Sequence, residues 1–411
     1  MKIAIVNKFF FLKGGQETLM FEEAKLLEQA GNEIAFFSMH HPNNTSDYKY
    51  NKYFVDQVEF SNLGKEYSLF QKLKFANNFI YNNQAIVKFE AFINDFKPNV
   101  IHCHGIAHQI TYSILSAAKK YKIPVVQTLH DYQLICPCYT LLKGSKKVCD
   151  VENCSSSFYI NCITNKCVKT SIGASILSSA EMIFNHKINK LSSYIDKYIC
   201  PSNFLMNKMI NNGLPAEKFV HIPNFINGID RIQPEFNNQG YFLFFGRLSY
   251  EKGLLTLLNA FKKMESCNLK IVGTGPIEKE LIIFKEENNI NNVEFVGFQS
   301  GDNLTNLIKN SIAVILPAEW HENAPMSIIE SFAYGKPVIA TNLGGSPEMI
   351  KEAETGYLFN PSNIKELKEK CLLFIEQPNL AANLGKNARN FALKNYNSQI
   401  HMEKLLRVYN N

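Results

Sequence analysis

The first half of the chain alternates short apolar runs with stretches of helical apolar spacing. Strands are predicted at Lys2–Asn7, Glu33–Ser38, Asn99–His102, Val125–Leu129 and Tyr194–Cys200, the last closed by Pro201. Glu17–Ala30 has the spacing of an amphipathic helix that stops at Gly31, and residues 64–96 read as mainly helical. The second half repeats the style. Strands are predicted at Tyr241–Phe245, Leu269–Val272, Val293–Val296, Ile312–Leu316 and Val338–Ala340, with helical segments between them and a helical tail at the end. Pro, Asn, Gly and Asp cluster at 223–234 and mark a break.

Strand–helix alternation of this kind builds a parallel sheet with helices on both faces. The expected fold is therefore α/β, with two Rossmann-like doubly wound domains facing each other across a cleft. The first spans 1–225 and carries a cysteine-rich loop at 136–167. The second spans 235–395, and residues 396–411 form a terminal helix that returns to the first domain. A length of 411 residues suits two such domains. Ligands of open parallel sheets sit beyond the carboxyl ends of the strands, so the chemistry belongs in the loops that follow them.

Charge and cysteine content narrow the setting. The net charge is +6, and the whole excess lies in residues 1–230, which hold 24 lysines, no arginine and 18 acidic residues. A mild lysine excess suits an anionic membrane surface or an acidic substrate and falls short of a nucleic-acid-binding stripe, so no nucleic-acid partner is expected. Met1-Lys2 runs straight into Ile3-Ala4-Ile5-Val6, and no apolar run reaches membrane-spanning length. The expected location is cytoplasmic, at the inner face of the membrane. Ser171–Ser193 carries an apolar stripe with Lys187 and Lys190 beside it, which fits an interfacial helix and equally fits packing on the domain's own core. In a reducing compartment cysteines are thiols or metal ligands. Cys136, Cys138, Cys149, Cys154, Cys162 and Cys167 crowd one loop at spacings C-x-C, C-x4-C and C-x4-C. That pattern admits a structural zinc on four of them, or a loop of free thiols.

Four segments carry chemistry. Glu322 and Glu330 are separated by seven residues; Pro325 in a first helical turn would put Glu322 at the helix start and Glu330 two turns in. Free amides at that start favour an anion. Arg247 and Lys252 follow the strand Tyr241–Phe245. A guanidinium forks onto phosphate oxygens and an ammonium adds a point charge, so the pair can hold a diphosphate without a metal. Gly14-Gly15 follows the first strand and lets backbone amides approach a phosphate or sugar oxygen. His130-Asp131 stands at a strand's carboxyl end, placed either for function over the cleft or as a structural histidine held by Asp131. Gly273-Thr274-Gly275 follows another strand, but Glu278 stands where a dinucleotide fingerprint needs its third glycine, which argues against a nicotinamide enzyme.

Taken together, Gly246-Arg247, Lys252-Gly253, Glu322 and Glu330, then Ala333-Tyr334-Gly335-Lys336-Pro337-Val338, resemble glycosyltransferase family 4. The Gly273–Pro276 and Gly344–Glu348 turns are similar to loops of that family. The resemblance implies a GT-B fold. It implies a retaining hexosyl- or related transferase that moves sugar from a nucleoside diphosphate sugar to a glycan or lipid-linked acceptor in surface polysaccharide synthesis, with no further cofactor. It gives Glu322 and His130 contact with the donor sugar, Glu330 the ribose hydroxyls, and Arg247 and Lys252 the diphosphate. Gly14, Gly15, Gly273, Asn323, Ala324, Pro325 and Met326 complete the donor site. A sugar-nucleotide epimerase of the same fold and a non-catalytic membrane-associated scaffold are the alternatives.

Overall fold

A computed structural model describes residues 1–45, 47–57, 69–144, 147–149 and 154–410, the side chains of 69–74 excepted. In chain order the strands are β1 (Lys2–Val6), β2 (Glu33–Phe37), β3 (Val100–Cys103), β4 (Val125–Thr128), β5 (Leu142–Lys143), β6 (Lys147–Val148), β7 (Lys197–Cys200) and β8 (Phe219–His221), followed by β9 (Tyr241–Phe245), β10 (Asn268–Val272), β11 (Val293–Gly297), β12 (Val314–Leu316), β13 (Val338–Thr341) and β14 (Gly356–Phe359). Two six-stranded sheets result, in the orders β2-β1-β3-β4-β7-β8 and β11-β10-β9-β12-β13-β14, all pairs parallel. β5 and β6 pair antiparallel as a small separate hairpin inside the cysteine-rich loop.

The central strands are apolar because both faces are covered. Ile3, Ile5, Val100, Val126 and Ile199 pack under helix Gly15–Gln29 and the last helix, while Ala4, Val6, Ile101 and Val125 belong to the core on the other face. The second sheet is sandwiched the same way between two cores. This is the two-domain doubly wound architecture expected from the alternation of elements.

The structure refines these expectations and moves the start of one strand. The helical stretch 64–96 is two helices, Leu69–Ile80 and Asn83–Phe96, split because the Asn82 side chain accepts a hydrogen bond from the Ala85 amide and caps the second. Residues 64–68 lie outside the described residues. β8 and β14 carry no sequence expectation; each is a short edge strand of three or four residues. The strand expected at Tyr194–Cys200 begins only at Lys197, because a tight helical turn at Leu191–Ser193 takes up the preceding chain. Within the apolar stretch 171–193, helix Ile172–Ile183 continues into a wider turn at Phe184–Ile188.

The chain crosses between the sheets twice, and the crossings touch: the Ile226 amide donates to the Tyr396 carbonyl at 3.0 Å. After the second crossing, helix Ser398–Asn410 lies on the first sheet's core with Leu405, Val408 and Tyr409 buried.

Candidate active site

Loops at the carboxyl ends of the second sheet bring part of the candidate set together. β9 ends at Phe245, and the chain turns through Arg247 to a helical turn at Tyr250–Lys252. Gly253 follows at φ 68°, and a Cβ there would stand 1.8 Å from the Pro317 carbonyl oxygen. Only glycine lets the loop after β9 lie directly on the loop after β12. That approach brings the Lys252 Nζ within 2.6 Å of a Glu322 carboxylate oxygen. Glu322 is buried, and its carbonyl accepts from the Gly345 amide at 2.7 Å, which ties in the Gly344-Gly345 turn as well. Arg247 is exposed and makes no ion pair among the described residues.

The helix after β12 starts later than its sequence suggests. Pro325 is the residue before the first turn, and the helix runs Met326–Ala333. Glu322 therefore lies in the loop ahead of the helix, not at its start, and Glu330 sits about one turn in, not two. The local reason is that Pro325 takes an extended ψ of 121°. Glu330 lines a cavity of about 490 Å³ together with Met326 and Tyr334, and Gly15, Thr18 and Glu22 of the first domain form the opposite wall. Its carboxyl makes no hydrogen bond among the described residues. Burial pushes it up to about 7.

Asn323 and Ala324 bridge the domains. The Asn323 amide donates to the Leu129 carbonyl at 3.3 Å and its oxygen accepts from Ser202 Oγ at 2.7 Å, while Asn224 donates to the Ala324 carbonyl at 3.1 Å. Tyr132 donates to the His321 carbonyl at 3.0 Å. The Glu348 carboxylate accepts from the Asn203 amide at 2.8 Å and from the Phe204 amide, at the start of helix Asn203–Asn211. A carboxylate at a helix N-terminus is favourably placed. Ser202 and Asn224 carried no sequence signal, since each is an ordinary polar residue until the opposite domain is in place; Glu348 closes the Gly344–Glu348 turn that resembles a family loop.

On the first domain, Gly14 precedes helix Gly15–Gln29 and Gly15 opens it. His130 follows β4. Its ring partner is His104, not Asp131: His130 Nε2 and His104 Nδ1 are 3.0 Å apart, whereas Asp131 accepts from the Gln133 amide. His104 and Glu23 went unnoticed in the sequence. His102-x-His104 at a strand end offered a signal of the kind used for His130; Glu23, in mid-helix, offered none. Gly273 lies at φ 130° against the Gly246 carbonyl, in contact with the Arg247 loop.

The six cysteines of the loop line one cavity of about 580 Å³ with His321 and Lys208. Cys136 and Cys138 sulfurs are 3.3 Å apart. Among the described residues no three cysteine sulfurs lie within 4.8 Å of one another; the group that does converge is Glu23, His102 and His104.

Comparison with known proteins agrees with this architecture. The chain is 26% identical over 362 residues to a Klebsiella pneumoniae protein described as an uncharacterized 42.6 kDa protein in the cps region, covering 85% of this chain and 88% of that one. It is 22% identical over 418 residues to N-acetyl-alpha-D-glucosaminyl L-malate synthase of Bacillus anthracis, covering 100% and 97%. Among solved structures it superposes on Anabaena HepE in complex with UDP with a TM-score of 0.66, at 18% identity and 99% coverage of both chains. The family model described as Glycosyl transferases group 1 matches residues 226–391. The one described as Glycosyltransferase Family 4 matches residues 13–228, more than half of the sequence. Spanned by these two matches almost from end to end, the chain belongs to glycosyltransferase family 4 and is a glycosyltransferase of the GT-B type.

Proposed function

We propose that this glycosyltransferase is a retaining enzyme that takes a hexosyl or related group from a nucleoside diphosphate sugar and passes it to a glycan or lipid-linked acceptor. The observation that carries the donor assignment is the contact of Lys252 with Glu322 at 2.6 Å, with Arg247 exposed in the same loop after β9 and Glu330 in the cavity between the domains. As the anomeric C–O bond breaks, negative charge grows on the departing diphosphate. Arg247 and Lys252 are fixed positive charges placed to stabilise it, and preorganised charge of this kind needs no rearrangement at the moment of reaction. Glu330 offers two acceptor oxygens to a ribose diol. Glu322 and His130 hold the sugar, and Gly14-Gly15 brings backbone amides to the opposite wall. The leaving phosphate takes the acceptor's proton on the same face, which gives retention. UDP is the nucleotide of choice for a first test, since it is bound in the superposed Anabaena protein. A surface-polysaccharide acceptor is supported by the Klebsiella relative's place in a cps region.

The test is calorimetric titration with UDP and other nucleoside diphosphates, alongside turnover of their sugars. Glu330→Ala should weaken nucleotide binding about tenfold or more, and Glu322→Ala should lower turnover more than affinity. Unchanged binding and kinetics in both variants would remove the donor-site assignment. Product formed without any added acceptor would favour an epimerase instead.

Two finer features belong to the same reading. The reading of a structural zinc in the cysteine loop rests on six thiols around one cavity, four of which would hold the ion as thiolates and brace the loop. Elemental analysis of protein purified without chelator should find about one zinc per chain and none in Cys138→Ser; metal-free parent protein overturns it. Attachment to an anionic membrane surface is supported by Ile172, Ile176 and Ile188, all exposed, near Lys187 and Lys190. No helix among the described residues is long and apolar enough to cross a membrane.

A further inference from the structure

Behind His130 lies a buried set of polar side chains drawn from three distant segments. His104 Nδ1 faces His130 Nε2 at 3.0 Å with the rings stacked at 20°. His104 Nε2 faces Glu23 Oε1 at 3.6 Å, a contact longer than a hydrogen bond, and neither atom makes a hydrogen bond among the described residues. Glu23 is buried to 2% exposure in the middle of helix Gly15–Gln29. Its Oε1 is also 3.1 Å from His102 Nδ1, and its Oε2 is 3.0 Å from His401 Nε2 of the last helix. Burial alone would push the Glu23 carboxyl up, but the surrounding imidazoles outweigh it and hold it well below the usual carboxylate range. Glu23 is thus an acceptor with no proton of its own. Burial pushes His104 down to about 4, and burial together with His104 holds His130 well below its usual range. Both rings are therefore neutral, with one N–H each.

A neutral His104 beside an acceptor-only carboxylate carries its proton on Nε2. Its Nδ1 is then a lone pair, and the contact with His130 requires His130 to supply the proton from Nε2. The second nitrogen of His130, Nδ1, is left as an acceptor.

We infer that Glu23 and His104 are positioning residues that fix His130 as the neutral Nε2–H tautomer, so that it offers a lone pair to a hydroxyl group of the donor sugar. The inference rests on the role given to His130 above. It adds that this residue recognises sugar as an acceptor, and that its state is set by two buried side chains that themselves touch no substrate.

The imidazole can be read directly. Protein labelled with ¹⁵N-histidine gives long-range ¹H–¹⁵N spectra in which the two neutral tautomers have distinct patterns, and the His130 signals are those missing from His130→Gln. The expected result is a single Nε2–H pattern in the parent. His104→Leu should convert it to a mixture of tautomers, and His104→Gln, whose carbonyl oxygen still accepts, should restore it. Glu23→Gln, the second variant should His104→Leu not fold, should also give a mixture because an amide there can donate to His104. A parent His130 carrying its proton on Nδ1, or a His130 signal unmoved in a folded His104→Leu or Glu23→Gln protein, overturns the inference. Failure of the role given to His130 is a separate result: turnover of a UDP-sugar unchanged in His130→Ala, whatever the tautomer.

Discussion

Glu330 combines burial, an open cavity beside it and a carboxyl raised to about 7 by that burial. The sign of its effect on stability follows from linkage. A carboxyl raised in the folded protein above its usual range means that the folded state holds a proton the unfolded state has lost. Stability is then lost as pH rises from the usual carboxylate range to beyond 7. Glu330→Gln removes this loss, so its melting temperature should exceed the parent's at pH 8 and approach it near pH 5. Ligand binding runs the other way. If the carboxylate accepts from ribose, UDP affinity of the parent should fall up to about tenfold per pH unit below 7, with proton release visible in buffers of different ionisation enthalpy. A flat affinity between pH 6 and 8 would contradict the ribose role.

Lys252 and Glu322 form the other test at this scale. Their charged atoms are 2.6 Å apart with the glutamate side chain 8% exposed. Lys252→Ala leaves that carboxylate buried without its cation, and a cost of about 3 kcal/mol is expected in urea denaturation. Turnover should fall about 10²–10³-fold, the scale of removing one preorganised charge. Glu322→Gln, which keeps the shape, should cost less stability than Lys252→Ala.

At the scale of elements, the site is made by loops lying directly on one another. Gly253→Ala places a methyl group against the Pro317 carbonyl in a left-handed backbone conformation, so the loops after β9 and β12 must part. Gly31 has the same sign of φ, 83°, but open space around it, and Gly31→Ala should cost only about 1 kcal/mol. The contrast predicts a large loss of both melting temperature and UDP affinity for Gly253→Ala, and a small stability loss with intact affinity for Gly31→Ala. Equal effects of the two would show that loop stacking does not position Lys252. Helix Ile172–Ile183 shows a similar dependence on packing. Ser175, Ser178, Ser179 and Glu181 face inward, Glu181 within 3.2 Å of His108, and Ile172 and Ile176 are each 50% exposed. Its apolar stripe faces partly outward, which hydropathy alone does not decide.

At the scale of the molecule, the last helix closes the first domain around Glu23. His401 bridges the Glu23 carboxylate and the Pro223 carbonyl at 3.0 and 2.9 Å, and Tyr409 reaches His102 at 2.7 Å. His401→Ala should destabilise the protein by about 2–3 kcal/mol, because a buried carboxylate loses a hydrogen-bonded partner. Urea denaturation measures it, and a change under about 0.5 kcal/mol would mean the helix is held by its apolar face alone. The lysine excess of residues 1–230 predicts co-sedimentation with anionic vesicles at low salt that is lost at high salt. No binding, or binding indifferent to salt, would leave the exposed isoleucines without an electrostatic partner surface.

Alternating apolar runs and helical spacing were sufficient to determine two parallel-sheet domains, because strands covered on both faces must be apolar throughout. The resemblance to family 4, not spacing alone, singled out Arg247, Lys252, Glu322 and Glu330, and the fold brings Lys252 and Glu322 into contact in the loops after β9 and β12. What the sequence could not determine is anything that depends on two segments meeting. The helix at Met326 starts after Pro325 because of the loop it leaves, Asn323 serves both domains because Leu129 and Ser202 stand opposite, and Glu23 is an ordinary helix glutamate until His102, His104 and His401 surround it. Local chemistry sets which groups a segment offers; burial and neighbours, which exist only in the folded chain, set their charge, their tautomer and their partners.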